Sequence, residues 1–231
     1  MERSRLDGAA NMDTPLGVVF DLGEVLTRPR ARSGLEGRLA GLLGVEESAF
    51  AEAYWAHRDA YDLGSSDLAY WSAVAAALGV PLPPGAVDAL VSAEVEIWTR
   101  LDEASRILVE DLRRRGTRLA LLSNAPHALA RTAERSDWAA HFDRLMFSAD
   151  HGLAKPDPAV YQRMTALLGT RPEHVVFFDD RGKNVDAARE HGWDAHLWTG
   201  VAAARAVLAD RGLLPPGPTP DRPVSCGTRS R

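Results

Sequence analysis

Lysine is nearly missing from this chain. Of its 27 basic residues only Lys155 and Lys183 are lysines, and the rest are arginines. Arginine therefore serves as the generic surface cation, and each lysine becomes a candidate for a role that needs a compact ammonium charge. Cysteine is scarcer still. Cys226 stands alone, so no internal disulfide can form, and cytoplasmic residence is the expectation. No apolar run approaches the roughly 18–20 residues that span a bilayer. Met1 to Asn11 is polar and lacks the apolar segment of a secretory signal, and Met12, just before the first apolar run, is a candidate true start. A basic excess is also absent: the net charge is −5, which argues against a binder of nucleic-acid phosphates. The seven histidines include no HxH or HExxH spacing, so a zinc site is not expected. There is no G-x-S-x-G nucleophile turn, and Gly182-Lys183-Asn184 lacks the Ser or Thr that a phosphate-binding P-loop needs after its lysine.

What is present is ordinary material for a folded domain. The chain has 231 residues, 45% of them hydrophobic and 26% charged, enough to bury a core. Short continuous apolar runs at 17–20, 119–122, 145–147, 175–178 and 195–198 read as strands covered on both faces, as in parallel sheets. Helical patterns fill the gaps, at 104–115, 158–168 and 183–191, each ending near a glycine. The alternation predicts an α/β fold, a doubly wound parallel sheet. Residues 30–100 break the rhythm. They read as helices at 35–43, 46–59, 66–78 and 84–100, with Ser66-Asp67 as a helix start. Such an insertion suits a lid over the end of the first strand. The expected organisation is an N-terminal extension at 1–14, a core at 15–28 and 101–213, a helical cap at 29–100, and a proline-rich tail at 214–231.

Ligands of open α/β sheets bind outside the carboxyl ends of the strands. Past the first strand stands Asp21; past the second, Ser123-Asn124; past the third, Ser148 and then Lys155; past the fourth, Asp179-Asp180, with Asn184 one turn later. The plain structural reading of Asp21 is a turn or cap residue, and that of Lys155 a solvated loop cation. Ser123-Asn124 fits a helix N-cap, and Asp179-Asp180 fits an N-cap followed by a first-turn acid. Two adjacent carboxylates in a partly dry site otherwise need a cation, most simply a hard divalent ion with oxygen ligands. Together they make coherent chemistry. Asp21 would attack phosphorus. Mg²⁺, held by Asp21, Asp180 and a backbone carbonyl, and the Lys155 ammonium would offset the repulsion. The Ser123 hydroxyl and backbone N–H groups would hold the transferring oxygens, and water would hydrolyse the aspartyl-phosphate.

The segments FDLGEVL (20–26), LLSNA (121–125), GLAKPDPAVY (152–161) and VVFFDDRGKNVDAA (175–188) resemble the four motifs of the haloacid dehalogenase-like hydrolase superfamily. The resemblance is subfamily IA-like, nearest the bacterial sugar-phosphate phosphatase and epoxide-hydrolase-N-terminal-like branch, and spans about residues 16 to 200. It implies a Rossmann-like core with an inserted helical cap and a Mg²⁺-dependent phosphoric monoester hydrolase. By resemblance Asp21 is the nucleophile, Ser123 the second-motif hydroxyl and Lys155 the third-motif lysine. Ser123, Asn124 and Lys155 would bind phosphate. Asp21, the Gly23 carbonyl, Asp180 and Asp179 would form the metal set, and Asn184 is a nearby polar group of the fourth motif. The family's phosphatases usually carry an acid/base Asp at the position of Gly23, and Glu24 is the nearest carboxylate. Its absence favours good leaving groups such as anomeric sugar phosphates, and Gly23→Asp is expected to raise turnover on poor ones.

Two other readings remain open. A metal-independent 2-haloacid dehalogenase also lacks the second Asp, although it has no use for paired acids. A catalytically impaired binding or regulatory protein would explain Gly23 but not the retention of Asp21, Ser123, Lys155 and Asp180. The expected partner is a small phosphorylated substrate, with no nucleic acid and no membrane, and the chain as monomer or homodimer. The cap aromatics Tyr54, Trp55, Tyr61, Tyr70 and Trp71 are spaced as core residues, with some facing the substrate, and His57 and Arg58 are candidate phosphate or hydroxyl contacts.

Overall fold

The computed structural model describes residues 17–28 and 30–216. The N-terminal extension, Met12, most of the proline-rich tail and Cys226 lie outside the described residues. Five strands form one parallel sheet: β1 (Gly17–Phe20), β2 (Arg118–Ser123), β3 (Arg144–Phe147), β4 (Val175–Asp179) and β5 (Asp194–Leu197). Their order is β3-β2-β1-β4-β5. The chain winds outward from β1 to β3, then crosses back to β4 and β5. The direction reverses between β1 and β4, where such sheets open a crevice at their carboxyl edge. The α/β expectation holds, with small shifts at the strand ends. Ser123 and Asp179 are the last residues of β2 and β4 rather than the residues after them.

Side chains alternate across the sheet, as the two-residue period of a strand requires. Val18, Phe20, Leu119, Leu121, Val176 and Phe178 face one layer of the core. Val19, Ala120, Leu122 and Phe177 face the other, against Val160, Met164 and Trp193. Burial on both faces explains why the strands read as unbroken apolar runs.

Between β1 and β2 stand α1 (Arg30–Ser33), α2 (Leu35–Leu43), α3 (Glu47–Ala56), α4 (Arg58–Asp62), α5 (Asp67–Leu78), α6 (Ala86–Trp98) and α7 (Glu103–Arg114). The first six form the cap. Ser66 caps α5, accepting the Ala69 N–H at 3.2 Å, and Gly79 closes it at φ 67°, a conformation that glycine adopts cheaply. The long helix expected at 46–59 is broken at His57, so that α3 and α4 are separate. The chain leaves and re-enters the core side by side. Thr27 pairs with Leu101, and Asp102 N–H donates to Leu26 C=O at 2.8 Å. The remaining helices flank the sheet: α8 (His127–Glu134), α9 (Ser148–His151), α10 (Pro158–Leu168), α11 (Gly182–Glu190) and α12 (Val201–Asp210). Cap residues Leu39, Phe50 and Trp71 join Leu22, Leu26 and Leu129 in one apolar cluster, so the cap is packed down on the core.

Candidate active site

The register of the sheet assembles the site. Phe20 pairs with Leu121 on β2 and with Phe178 on β4. One residue further on, Asp21 therefore stands level with Leu122 and Asp179. The Asp21 N–H donates to Phe178 C=O at 3.0 Å, continuing the ladder. Lys155 reaches in from the loop between α9 and α10. Its Nζ lies 2.8 Å from Asp21 Oδ1 and 2.7 Å from Asp179 Oδ2, and donates to Leu122 C=O at 2.8 Å. Its side chain is 1% exposed. Burial would lower the Lys155 pKa, but Asp179 and Asp21 hold it above the ordinary lysine value, so the ammonium stays charged. Lys183, the other lysine, is exposed on α11, so scarcity marks a buried role for only one of the two.

Asp179 is fully buried and heavily engaged. Its oxygens accept from Lys155, from the Arg181 N–H at 2.9 Å, and from Asn184 Nδ2 at 2.9 and 3.1 Å. The structure thus places Asp179 first as the anchor of Lys155. Neither Asp179 nor Asp180 is a helix cap, because Arg181 occupies that position before α11. Nor do Ser123 and Asn124 cap α8, whose N-cap is Pro126. Both ends of the Asn124 amide are taken up by the Lys155 backbone, which it accepts from and donates to at 2.8 Å. Asn124 therefore shapes the lysine loop, and both it and Ser123 line the cleft.

Asp21, Asp179 and Asp180 offer carboxylate oxygens within 4.8 Å of one another. Burial pushes the Asp21 carboxyl up, Lys155 pulls it down, and Asp179 pushes it up again, leaving it above the usual range. Asp180 is pushed up to about 7 by burial first, then by the charges of Asp21, Asp179 and Glu24, with Arg181 opposing. Lys155 is shared by two of the three acids, so negative charge remains unmet. Asn184 lines the same cleft, and its buried Oδ1 has no hydrogen-bond partner among the described residues. An all-oxygen donor set with excess negative charge fits a hard divalent cation such as Mg²⁺. Gly23 lines the cleft beside it.

The cleft lies between this strand edge and the cap. Its volume is about 90 Å³, room for a small ligand. Trp55, Arg58, Asp62 and Trp98 contribute its cap side. Trp55, Arg58 and Asp62 follow helical spacing across the α3–α4 break and so share a face. Sequence reasoning reached Trp55 and Arg58 only as undecided candidates and missed Asp62 and Trp98. The helix expected at 46–59 stops short of Asp62, and Trp98 reaches the cleft from the end of α6. His57 itself lines a separate groove with Tyr61 and Tyr70. Tyr54, Tyr61, Tyr70 and Trp71 are buried in the cap.

Gly23 has a neighbour that alters one sequence-based expectation. A Cβ there would lie 3.3 Å from the Trp98 ring. That indole is tethered by its N–H to the Tyr54 hydroxyl at 3.2 Å. Trp98 thus presses on the space that an acid at position 23 would enter, so Gly23→Asp is not the simple gain that the sequence suggests. Glu24 follows at φ 58°, a sparsely populated backbone conformation for a residue with a side chain.

A family model described as haloacid dehalogenase-like hydrolase matches residues 16–192. A phosphoserine phosphatase from Thermus thermophilus is 36% identical over 118 residues, 50% of this chain and 43% of that protein. A phosphorylated carbohydrates phosphatase from Thermotoga maritima is 34% identical over 89 residues, 38% of this chain and 41% of that protein. The chain thus spans less than half the length of either relative. A crystal structure of a dehalogenase superposes with a TM-score of 0.68 at 20% identity, covering 85% of this chain and 98% of that one, a likeness of fold.

Proposed function

Because the chain belongs to the haloacid dehalogenase-like hydrolases, we propose that it is a Mg²⁺-dependent phosphatase of a small phosphorylated metabolite, with sugar phosphates favoured, and that Asp21 carries the phosphoryl group. One observation carries this reading: Lys155 is shared by two carboxylates at the strand edge, while Asp180 forms no ion pair among the described residues. A dehalogenating Asp needs no such surplus of acid. The likeness to phosphatases that act on phosphoserine and on phosphorylated carbohydrates supports the same class.

The chemistry follows from the side chains in place. Asp21 is fixed by Lys155 at one oxygen and by its backbone N–H to β4, so its carboxylate faces the cleft preset. Attack forms a bond from its oxygen to phosphorus and breaks the ester bond opposite. Lys155 offsets charge as the two anions meet. The Ser123 hydroxyl is the donor for a phosphoryl oxygen. Water then attacks phosphorus, freeing phosphate and regenerating Asp21. Mg²⁺, held by Asp21, Asp180 and the Gly23 carbonyl, would supply further positive charge at the transferring oxygens.

The test is a phosphate-release screen over sugar phosphates, nucleotides and p-nitrophenyl phosphate, with Mg²⁺ or with EDTA. Release is expected only with Mg²⁺, and Asp21→Asn should lower it at least about a thousandfold. Activity that survives EDTA together with consumption of 2-chloropropionate would establish the dehalogenase instead. No turnover of either class would leave a binding protein.

A further inference from the structure

The cleft has a floor of strand tips and a roof of cap residues, and its carboxylates are unequally divided between them. Of the four that line it, Asp21, Glu24 and Asp180 come from core loops and Asp62 alone comes from the cap. Asp62 ends α4 and is tied to the sheet edge by its own backbone. Its carbonyl accepts the Ser148 hydroxyl, and Ser148 Oγ in turn accepts the Ala125 N–H at 2.9 Å. The Asp62 side chain lines the cleft opposite Asp21 and Asp180, with 14% of its surface exposed.

Its charge environment is uneven. Asp62 Oδ1 accepts from Arg58 Nε at 2.8 Å, and the same guanidinium pairs with the fully buried Glu94. One buried cation thus serves two acids, which leaves one negative charge in excess in a dry interior. Glu94 is also held by the Tyr54 hydroxyl at 2.5 Å, so of the two acids Asp62 is the one with access to the cleft. Burial pushes the Asp62 carboxyl up, and the charge of Glu94 adds to this. Arg58 and, from beside the strand tips, Arg181 oppose it, and burial prevails.

In phosphoryl transfer the attacking and leaving oxygens stand in line across phosphorus. With Asp21 on the floor, the leaving oxygen points to the roof. We propose that Asp62 is the proton donor to that oxygen, filling from the cap the acid/base role for which Gly23 has no side chain. This rests on the phosphatase reading above. As the Asp21 oxygen bonds to phosphorus and the ester bond breaks, the Asp62 proton passes to the departing oxygen, giving an alcohol and the Asp62 carboxylate. Water then enters from the same side. Its oxygen bonds to phosphorus, its proton goes to Asp62, and the bond from Asp21 to phosphorus breaks.

The experiment measures the first turnover of the Mg²⁺-loaded full chain on phenyl phosphate and p-nitrophenyl phosphate. These esters are of similar shape, but their leaving groups differ in basicity. Asp62→Asn should slow phenyl phosphate at least about tenfold more than p-nitrophenyl phosphate, because the poorer leaving group needs the proton. Asp62→Glu, which keeps a carboxyl, should recover most of that difference. Equal losses on both esters would overturn the proton-donor role and leave the phosphatase standing. A wild type that cleaves no phosphate monoester would overturn both. If a melting curve shows that the Asn variant does not fold, the wild type decides. Similar rates on the two esters support a donor, and a rate that falls steeply with leaving-group basicity contradicts one.

Discussion

At the scale of single residues, one ammonium and three carboxylates share a largely dry strand edge. Removing Lys155 leaves Asp21 and Asp179 facing each other without a cation. Lys155→Met should therefore lower stability by about 3–5 kcal/mol in urea unfolding, with part of the loss recovered in Mg²⁺. The sign of the Asp180 contribution is opposite to that of an ordinary paired acid. Its carboxyl titrates near 7 in the fold and near 3.8 when free, so the folded state binds the extra proton between those values. Its share of stability is complete below pH 4 and is lost as pH rises towards 7. Without metal the melting temperature should fall across that window on account of Asp180. The increase produced by Mg²⁺ should be larger at pH 8 than at pH 5, and an equal increase at both would contradict the assignment. Gly23 makes a further residue-scale test. Asp at this position must move an indole held by Tyr54, so Gly23→Asp should cost about 1–3 kcal/mol. Adding Trp98→Val should remove most of that penalty, a coupling read from a double-mutant cycle.

At the scale of elements, the strand tips were legible and the cap contacts were not. A strand buried on both faces announces itself as an apolar run, and the residue at its carboxyl end follows by counting. Asp21, Ser123 and Asp179-Asp180 could be named in this way, and Lys155 by the scarcity of lysine. The roof could not, because Asp62 and Trp98 reach the cleft only through the packing of α4 and α6 on the core. Ser148 shows the difference. Its position after β3 was evident, but its service as the latch between α4 and the sheet edge depends on a cap contact that no local pattern encodes. Ser148→Ala removes the donor to Asp62 C=O and leaves the buried Ala125 N–H without its acceptor. Stability should fall by about 1–3 kcal/mol. Amide hydrogens of α4 should exchange faster while those of α10, on the far face of the sheet, do not. Uniform acceleration would mean that the latch is not local.

At the scale of the whole molecule, the fold divides the labour of the site. The sheet, reversing direction between β1 and β4, presents Asp21, Lys155, Asp179 and Asp180 on one edge. The cap, entered and left through the paired segments at Thr27 and Leu101, supplies the walls that limit what fits. Among the described residues no helix is long and apolar enough to cross a membrane. The sheet and the residues along its carboxyl edge were legible in the sequence, because these depend on local runs and strand order. The sequence left the substrate open, because the cap side of the cleft is made by contacts between helices far apart in the chain. The central claim is that the strand tips share a divalent cation while Asp21 takes the phosphoryl group. The most direct measurement is a crystal structure of the protein soaked with Mg²⁺ and beryllofluoride. The account predicts beryllofluoride bonded to an Asp21 oxygen, with Mg²⁺ bound jointly by Asp21 and Asp180. Beryllofluoride absent from Asp21, or a cation bound without either carboxylate, would contradict it.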